Sequence, residues 1–576
     1  MRIMAPFFLL YLHMRLFLSL LTAILGFAAS AADITLKHHG TATQLTVDGQ
    51  PYIMLGGELG NSSASCAADI ERIFPKLARM NLNTVLTPVY WDMTEPVEGQ
   101  YDFSLVDKAI DTARDNNLHI VFLWFGAWKN SMSCYAPSWV KADSKKYPRA
   151  VTAEGKPLEI VSAFSPKVYE ADSRALRALL GHIRDYDPQG TVLMVQIENE
   201  IGMLESARDH SPLAEAEYAK GVPAQLTSFL KKNKKSLHPA LLERWQANGS
   251  KMSGSWTEVF GDDIFTDEYF MAWNYAKYVE GLAKDAKTIL GRPVYVNAAM
   301  NSRGRRPGEY PSAGPLAHLK DIWHAAAPTV DILAPDLYDK GFTDWVAQYH
   351  TSDNPLFIPE IRRFEGNGAQ AFYVLGEHDA LGFSPFSIEN GSDSPASKPV
   401  QAYAMLQKLM PLIAENQGTG RLTGLYFDSD STQRVLHRDG VKITANHFFT
   451  LPWDSRATDG SEWPSAGAIL IQTAPMQYIL AGTGVVLKFE NETESNVAQS
   501  LGEDGFLNTG SDRRSTKGWQ GGKRIGLASV EQMDVNADGT LGFVRRLNGD
   551  ETHQGRHARI GVDDFQILKI DLYEYE

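Results

Sequence analysis

Residues 192–200 read VLMVQIENE, and residues 356–360 read LFIPE. Each stretch is an apolar run of strand length that contains carboxylates at its end. A buried strand gains nothing from Glu198, Glu200 or Glu360 unless these side chains project into a polar cavity beyond the strand. This arrangement is typical of a barrel of parallel strands, in which the polar site lies at the carboxyl ends of the strands. A structural ion pair is the alternative for each carboxylate.

The chain on both sides of these stretches repeats one pattern, in which short apolar runs alternate with longer helical segments. The alternation predicts parallel strands joined by crossover helices. Eight strand candidates favour a (β/α)8 TIM barrel over an open sheet. The candidates are residues 52–57, 84–91, 119–125, 192–200, 293–300, 331–338, 356–360 and 380–386.

The helical segments and the last part of the chain define the predicted domains. Residues 68–80 carry apolar side chains at helical spacing, and residues 398–415 are predicted to form the closing helix of the barrel. Beyond residue 418, short alternating runs indicate an antiparallel β-sandwich. We therefore predict an α/β chain, with a catalytic (β/α)8 barrel over residues 33–418 and a β-sandwich accessory domain over residues 419–576.

The first residues are typical of an export signal. Arg15 precedes an apolar run over residues 16–29, and small residues follow before Asp33. The run is shorter than the roughly 20 residues of a transmembrane helix. We expect residues 1–32 to be a signal peptide and the protein to be exported, either periplasmic or extracellular, without stable membrane association after cleavage. An oxidising compartment would allow Cys66 and Cys134 to pair, but their spacing leaves this open.

Composition excludes several classes of partner. A formal net charge of -14 argues against a nucleic-acid partner, because phosphate binding requires clustered Lys and Arg. The 15 His and 2 Cys show no metal-ligand spacing, so we predict no catalytic metal and no cofactor. The 10% aromatic content suits a carbohydrate partner, although core packing accounts for most of these residues. The sequence predicts no oligomeric state.

Strand counting places Glu200 at the end of the fourth strand and Glu360 at the end of the seventh. In a barrel these ends face one another across the mouth, so the two carboxyls can flank one glycosidic bond. Retaining glycosidases hold such carboxyls about 5 to 5.5 Å apart. One must be protonated to donate to the leaving oxygen and the other ionised to attack, and their repulsion separates the two pKa values.

Residues 195–202, VQIENEIG, resemble the acid/base motif of glycoside hydrolase family 35, the β-galactosidases of clan A. In that family the Glu that follows Asn is the acid/base, which here is Glu200 after Asn199, and Glu360 takes the place of the nucleophile. Residues 83–103 are similar to the family's second-strand segment. Residues 56–58, Gly-Gly-Glu, resemble its opening motif.

The resemblance also implies supporting residues, and for each of them a purely structural role is the alternative. Asn199 is expected to bind a sugar hydroxyl, and Tyr338 to orient Glu360. The other expected ligand contacts are Trp128, Trp91, Glu58 and Tyr90.

One departure from the family bears on substrate. Residues 125–128, FGAW, lack the Glu that helps to hold the sugar hydroxyls in the family. This resembles a divergent bacterial branch associated with plant polysaccharide breakdown. The resemblance implies a retaining exo-β-galactosidase that removes terminal galactose, with xyloglucan side chains as a candidate substrate. The alternatives are a β-mannosidase or β-glucosidase of the same clan, and a non-catalytic carbohydrate-binding protein.

Overall fold

The computed structural model describes residues 31–301, 303–338, 340–493, 500–501, 507–508 and 522–576. The predicted signal peptide over residues 1–32 lies almost wholly outside the described residues, so this segment and the export that it implies stay predictions. No helix in the described ranges is both long enough and apolar enough to cross a bilayer.

Eight parallel strands close into a barrel, which confirms the predicted fold class. Each strand pairs with the next one along the chain, and the last pairs with the first. The barrel strands are β1 (Met54–Glu58), β2 (Thr84–Tyr90), β3 (His119–Phe125), β4 (Val192–Gln196), β5 (Val294–Ala299), β6 (Ile332–Leu337), β7 (Ile358–Ile361) and β8 (Gly382–Pro385). All eight lie within the stretches predicted for them or within one residue of these. The longest difference is at β4, which ends before Glu198 and Glu200.

The barrel strands are mostly apolar because both of their faces are covered. Every residue of β2 and β4 is buried, as expected for strands with side chains inside the barrel on one face and helices on the other. The helix Ala67–Arg79 shows the complementary pattern, since its buried residues Ile70, Ile73, Phe74 and Leu77 form one stripe. This helix and the closing helix Lys398–Asn416 confirm two predictions.

The other helices surround the barrel or extend its loops. Between β4 and β5 the chain inserts several helices before a long helix returns it to the barrel. The α-helices, besides the two already given, are Trp91–Thr94, Ser104–Asp115, Ser138–Lys141, Pro166–Tyr186, Pro212–Tyr218, Ala224–Lys232, Pro239–Ala247, Trp256–Phe260, Ile264–Ile289, Lys320–Ala326, Phe342–Tyr349 and Asn367–Glu377. Short 3-10 helices are Ala317–Leu319, Ile388–Asn390, Phe448–Thr450, Ser455–Ala457 and Gly549–Thr552.

Two small sheets were not predicted, because their strands are short and rich in polar residues. A three-stranded antiparallel sheet, Ile34–His39, Ala42–Val47 and Gln50–Pro51, precedes the barrel. A hairpin of Arg149–Val151 and Pro157–Val161 follows β3. Neither segment has the continuous apolar run that identified the barrel strands.

The C-terminal part forms two antiparallel sheets that share an apolar core, which confirms the predicted antiparallel class. The six-stranded sheet has the order Leu422–Phe427, Ala466–Ala474, Gln477–Thr483, Gln566–Tyr575, Arg524–Val535 and Leu541–Leu547. The four-stranded sheet has the order Gln433–Arg438, Val441–His447, Val485–Asn491 and Ala558–Arg559. A further short pair is Ser500–Leu501 and Leu507–Asn508.

The six-stranded sheet packs directly on the barrel helix Asn367–Glu377. Two glycines allow the backbones to approach closely: a Cβ at Gly424 would stand 2.2 Å from the Tyr373 carbonyl oxygen, and one at Gly467 would stand 2.4 Å from that of Ala369. Ile469 on this sheet belongs to the same apolar core as the barrel. The domain boundary at residue 418 therefore stays a prediction, since the core is continuous across it.

Candidate active site

Four carboxyl groups meet at the carboxyl-terminal mouth of the barrel. Glu58 ends β1, Asp336 lies in β6, Glu360 lies in β7, and Glu200 follows β4. Asp336 and Glu360 are register partners on neighbouring strands. All four are buried, with 5% or less of each residue exposed. The barrel thus brings together Glu200 and Glu360, the two residues predicted to carry the chemistry.

The Glu200 side chain is presented by a loop of unusual backbone geometry. Glu198 and Glu200 have φ values of 59° and 45°, in the left-handed region that costs residues other than glycine about 1 to 3 kcal/mol. Local hydrogen bonds hold the loop in this conformation. The Glu200 N–H donates to Asn297 Oδ1 over 2.9 Å, and the Ser131 N–H donates to the Glu200 carbonyl over 3.1 Å. Such strain at a barrel mouth indicates a functional constraint on where Glu200 points.

A tight turn after β3 contributes a cation and an amide to the cluster. The Lys129 N–H donates to the Met132 carbonyl over 2.8 Å, and Asn130 and Ser131 inside the turn both have left-handed backbone. Asn130 Nδ2 donates to Glu200 Oε2. The ammonium of Lys129 is buried and acts electrostatically on Glu200, Glu360, Glu58 and Asp336.

Burial and the neighbouring charge set the protonation of Glu200. Removal from water and the nearby Glu360 carboxylate raise the pKa of Glu200 to about 7, while Lys129 opposes this rise. The model-peptide value for a glutamate is near 4.3. At neutral pH Glu200 is therefore poised to hold a proton and to release it, as a general acid requires.

Glu360 has neighbours that stabilise a negative charge. Burial leaves its pKa above the usual range, but Lys129, the Tyr338 hydroxyl and the Glu58 carboxyl all act to lower it. The Tyr338 hydroxyl donates to Glu360 Oε1.

Two further carboxyls lie in the cluster. Burial and the negative charge of Glu360 raise the pKa of Glu58 and of Asp336 well above the usual range, which favours their protonated forms. Glu58 donates to Glu360, and Asp336 donates to Glu200. The net charge of the cluster is consequently small, which lowers the free-energy cost of burying it. Among the described residues, no group of three or more His, Cys, Asp or Glu is arranged to hold a metal.

Glu198 faces away from this cluster, although it is only two residues from Glu200. Its Oε2 accepts from the Trp128 N–H over 2.8 Å, and it hydrogen-bonds to Asp172. Asp172 also accepts from Trp124 Nε1 and from the Tyr278 hydroxyl, each over 2.8 Å. Glu198 belongs to a buried polar network behind the barrel mouth.

The structure brings three of the six predicted ligand-contact residues to the carboxyl cluster. Tyr338 and Glu58 contact Glu360 directly, as described above. Asn199 precedes Glu200, and both polar atoms of its fully buried amide lack a partner among the described residues. An unsatisfied buried amide of this kind is suited to a ligand hydroxyl. The role of Asn199 in sugar binding stays a prediction.

The other three predicted contacts lie in packed surroundings. Trp91 is fully buried and donates to Glu95 Oε2 over 2.9 Å. Trp128 is fully buried between Tyr275 and Tyr278, on the side of Glu198. The structure gives both indoles packing contacts and not an exposed stacking face. Their predicted stacking on sugar stays a prediction.

Tyr90 packs on Phe125 and Tyr135, and its hydroxyl accepts from the Ala64 N–H over 3.3 Å. These contacts account for its hydroxyl and for both neighbours of its ring. Its predicted contact with ligand stays untested by this arrangement.

Sequence reasoning missed four members of the site: Lys129, Asn130, Asn297 and Asp336. Asn297 and Asp336 interrupt the apolar strands β5 and β6, and Lys129 follows the apolar strand β3. This is the signal that identified Glu200 and Glu360, so the same rule could have found them. Asn297 Nδ2 donates to Asp336 Oδ2 over 2.7 Å, which links β5 to the cluster.

The two cysteines do not pair in this structure. Both Cys66 and Cys134 are free and exposed, and the Cys66 thiol donates to Asp69 Oδ2 over 3.4 Å. The open alternative of a disulfide therefore receives no support from the fold.

Comparison with known proteins bears on the barrel segment that carries Glu200. Residues 64–261 match glycoside hydrolase family 42, described as beta-galactosidase. A beta-galactosidase of Xanthomonas manihotis is 28% identical over 198 residues, which cover 33% of this chain and 30% of the relative. The matched segment is β-galactosidase-like. The chain spans less than a third of the length of that relative, and the match ends before Glu360.

These matches support a likeness of residues 64–261 to β-galactosidases, and they do not support the narrower assignment to family 35. Residues 400–559, from the closing helix into the C-terminal sheets, match a domain of unknown function, DUF5597. That match assigns no role to the sheets.

Solved structures are similar only at a distance. A β-galactosidase from Bacillus circulans sp. alkalophilus has a TM-score of 0.43 at 14% identity, covering 63% of this chain and 57% of its own. A family 42 β-galactosidase from G. stearothermophilus has a TM-score of 0.44 at 15% identity, covering 66% and 59%. These likenesses are too remote to bear on activity.

Proposed function

We propose that the protein is a retaining exo-β-galactosidase that hydrolyses terminal β-D-galactosyl residues. The observation that carries the proposal is that Glu200 and Glu360 lie in one buried cluster at the barrel mouth and have different polar neighbours. Glu200 has its pKa raised to about 7, and Glu360 is surrounded by a cation and two donors that favour its charge. This division of roles is what an acid and a nucleophile need.

In the first step, the ionised Glu360 attacks the anomeric carbon while Glu200 gives its proton to the departing glycosidic oxygen. The bond from the anomeric carbon to that oxygen breaks as the bond to Glu360 forms, and the aglycone leaves as an alcohol. Asp336 and Asn130 hydrogen-bond to Glu200 in the resting enzyme, and Tyr338 and Glu58 hydrogen-bond to Glu360.

In the second step, Glu200 is ionised and takes a proton from a water molecule, whose oxygen attacks the anomeric carbon. The bond to Glu360 breaks, Glu360 regains its charge, and the sugar leaves with its original β configuration. Both carboxyls then return to their starting protonation states. No external co-reactant besides water is needed.

For the substrate, we propose galactose at the end of side chains on plant polysaccharides or oligosaccharides such as xyloglucan. The likeness of residues 64–261 to β-galactosidases supports the glycone. Residues 125–128, FGAW, lack the Glu that the resemblance implied, and we expect this departure to bear on glycone specificity more than on the type of reaction. We also propose that the protein is exported, on the strength of residues 1–32.

A panel of nitrophenyl β-glycosides tests the glycone, and galactosylated xyloglucan oligosaccharides test the natural substrate. We expect the β-galactoside to be hydrolysed fastest. Faster turnover of the β-mannoside or β-glucoside would replace the proposed specificity with another of the same clan. Binding of galactosides without turnover of any glycoside would indicate a non-catalytic carbohydrate-binding protein.

Proton NMR of the anomeric region during the first minutes tests the stereochemistry. A retaining enzyme releases the β-anomer before mutarotation mixes the signals. Initial release of the α-anomer would require carboxyls about 6.5 to 9.5 Å apart with water between them, and would remove Glu360 from the role of nucleophile.

A further inference from the structure

The turn after β3 places one cation among the four carboxyls of the candidate site. Lys129 is 96% buried, since only 4% of the residue is exposed. Its ammonium lies 5.1 Å from the centre of the Phe125 ring. Within the described parts of the chain, the ammonium makes no direct hydrogen bond or ion pair. A buried ammonium is costly unless nearby negative charge compensates it, and here that charge comes from carboxylates across the mouth.

The turn is fixed to the loop that carries Glu200, so the position of Lys129 is determined by backbone contacts. Lys129 and Asn199 form an isolated parallel bridge, and the Asn130 N–H donates to the Asn199 carbonyl over 3.2 Å. The next residue contributes its own side chain to Glu200. The backbone of Lys129 is therefore fixed relative to the loop that carries Glu200.

We propose that Lys129 is a positioning residue whose buried ammonium holds Glu360 ionised and so keeps the nucleophile ready in a pocket that otherwise favours neutral carboxyls. The inference rests on the proposed function, in which Glu360 attacks the sugar. It assigns to the turn after β3 an electrostatic role that the family resemblance did not provide, because that resemblance implied a Glu in this segment.

The charges that face Lys129 come from several elements. Glu200, Glu360, Glu58 and Asp336 face it from the ends of β4, β7, β1 and β6. The Tyr135 hydroxyl and the Cys134 thiol also interact electrostatically with Lys129, and burial raises the pKa of each above its ordinary value, so both are neutral near pH 7.

Among these groups, Glu360 gains most from the cation. Burial and the charge of Glu360 favour the protonated forms of Glu58 and Asp336, and they raise the pKa of Glu200 to about 7. Removing the ammonium would therefore leave Glu360 as an uncompensated buried charge. Its proton affinity would rise, and that of Glu200 would rise with it, because Lys129 acts on both carboxyls.

The experiment compares Lys129→Met, which keeps the length of the side chain without its charge, with Lys129→Arg, which keeps the charge. kcat and KM are measured from pH 4 to pH 9 on whichever nitrophenyl glycoside the wild-type protein hydrolyses fastest. Lys141→Met is the matched control, since the Lys141 ammonium donates to the Cys134 carbonyl over 2.8 Å near the surface.

We expect both limbs of the kcat/KM profile of Lys129→Met to move to higher pH by about 1 to 3 units, the usual effect of one nearby opposite charge. Activity at pH 5 should fall at least about tenfold more than activity at pH 8, since one unit of pKa is a factor of ten. Lys129→Arg should keep the wild-type limbs, and Lys141→Met should leave the profile unchanged. A folded Lys129→Met with wild-type limbs would overturn the inference, even if its kcat were low.

A second measurement separates this inference from the proposed function. Carbon-13 NMR of labelled glutamate carboxyls, with Glu360 assigned by Glu360→Gln, reads the titration of Glu360 without turnover. A higher titration midpoint in Lys129→Met supports the role of the lysine even if no glycoside is hydrolysed. An unchanged midpoint overturns that role even if the protein is an active galactosidase. Should Lys129→Met fail to fold, Lys129→Gln takes its place in both measurements.

Discussion

Glu198 and Glu200 stand two residues apart on one loop, and the contrast between them explains what makes a buried carboxylate available for chemistry. Both are buried, both have left-handed backbone, and both have a raised pKa. Glu198 faces Asp172 and the Trp128 N–H behind the barrel wall. Glu200 faces Glu360 and Lys129 across the barrel mouth.

The difference lies in the groups that each carboxyl faces. Burial and the adjacent Asp172 raise the pKa of Glu198 well above the usual range, which favours its protonated form. It acts as a donor to Asp172, which in turn accepts from two aromatic side chains. The pKa of Glu200 is raised to about 7, so at neutral pH this carboxyl can both release a proton and take one up. Burial alone therefore does not distinguish a catalytic carboxyl from a structural one. The charged groups that Glu200 faces across the cavity, Glu360 and Lys129, make that distinction.

The largest expected effect is that of replacing Glu360, the carboxylate that Glu200 faces and Glu198 does not. Glu360→Ala should abolish nearly all turnover, because no group then forms the covalent intermediate. Added azide should occupy the vacated space and restore turnover, giving the glycosyl azide of inverted configuration. Steady-state kinetics with and without azide, and NMR of the product, check this. Wild-type activity in Glu360→Ala would remove the basis on which Glu200 is distinguished from Glu198.

The second prediction compares the two glutamates directly. Glu200→Gln replaces a working acid with an amide that cannot release a proton, and should lower kcat/KM on a poor leaving group by about 10² to 10⁴. Aryl glycosides with activated leaving groups should be affected far less. Glu198→Gln replaces a carboxyl that is already neutral, and its amide can still accept from Trp128 and donate to Asp172. It should retain activity on both kinds of substrate.

The reverse ranking of these two variants would transfer the acid role to Glu198. Circular dichroism of both variants is the necessary control, since each substitution lies in a buried loop. Equal losses in both variants on all leaving groups would indicate that the loop moved, and that the comparison does not report proton transfer.

The sequence predicted the barrel well because the signal for a parallel strand is local. Runs such as residues 119–125 are apolar throughout, and the described strand has the bounds that we predicted. It also predicted Glu200 and Glu360, since a carboxylate at the end of such a run has few structural explanations. The same reasoning did not separate Glu198 from Glu200, and only the likeness to a family did so.

What the sequence could not predict depends on contacts between distant segments. The orientation of Glu198 is set by Asp172, which lies on the helix Pro166–Tyr186. The burial of Trp91 follows from its hydrogen bond to Glu95 and its packing on Trp124 and Trp139. The periodicity and composition of the sequence carry no information on such pairings. The sequence therefore could not predict that Trp91 packs inside the barrel wall.

The third prediction concerns pH. With the pKa of Glu200 near 7, the acid form is present below that value and is lost above it. kcat/KM should therefore fall about tenfold per unit of pH above about 7, because this ratio reports the ionisation of the free enzyme. Glu198→Gln should show the same basic limb. If the basic limb of kcat/KM disappears in a folded Glu198→Gln variant, that limb reports the ionisation of Glu198 and not that of Glu200.

The smallest expected effect is on stability, and it shows what the proton on Glu198 does. A carboxyl whose pKa is raised by folding stabilises the fold below its unfolded value of 4.5, and that contribution is lost as pH rises through the folded value. Glu198→Gln removes this titration while its amide preserves the shape and both hydrogen bonds. The Tm of the variant relative to that of wild type should therefore increase from pH 5 to pH 8.

Glu58 and Asp336 also have raised pKa values, so the dependence of the wild-type Tm on pH does not report Glu198 alone. The difference in Tm between wild type and Glu198→Gln does report it, since the other groups are common to both proteins. Glu243→Gln, at an exposed position of the helix Pro239–Ala247, is the control and should give a flat difference. Glu198→Ala should lower Tm at every pH, because a buried partner left without its hydrogen bond costs about 1 to 3 kcal/mol. A flat difference for Glu198→Gln would mean that Glu198 is ionised in the fold. The two neighbouring glutamates would then differ in their contacts alone and not in the proton that they hold.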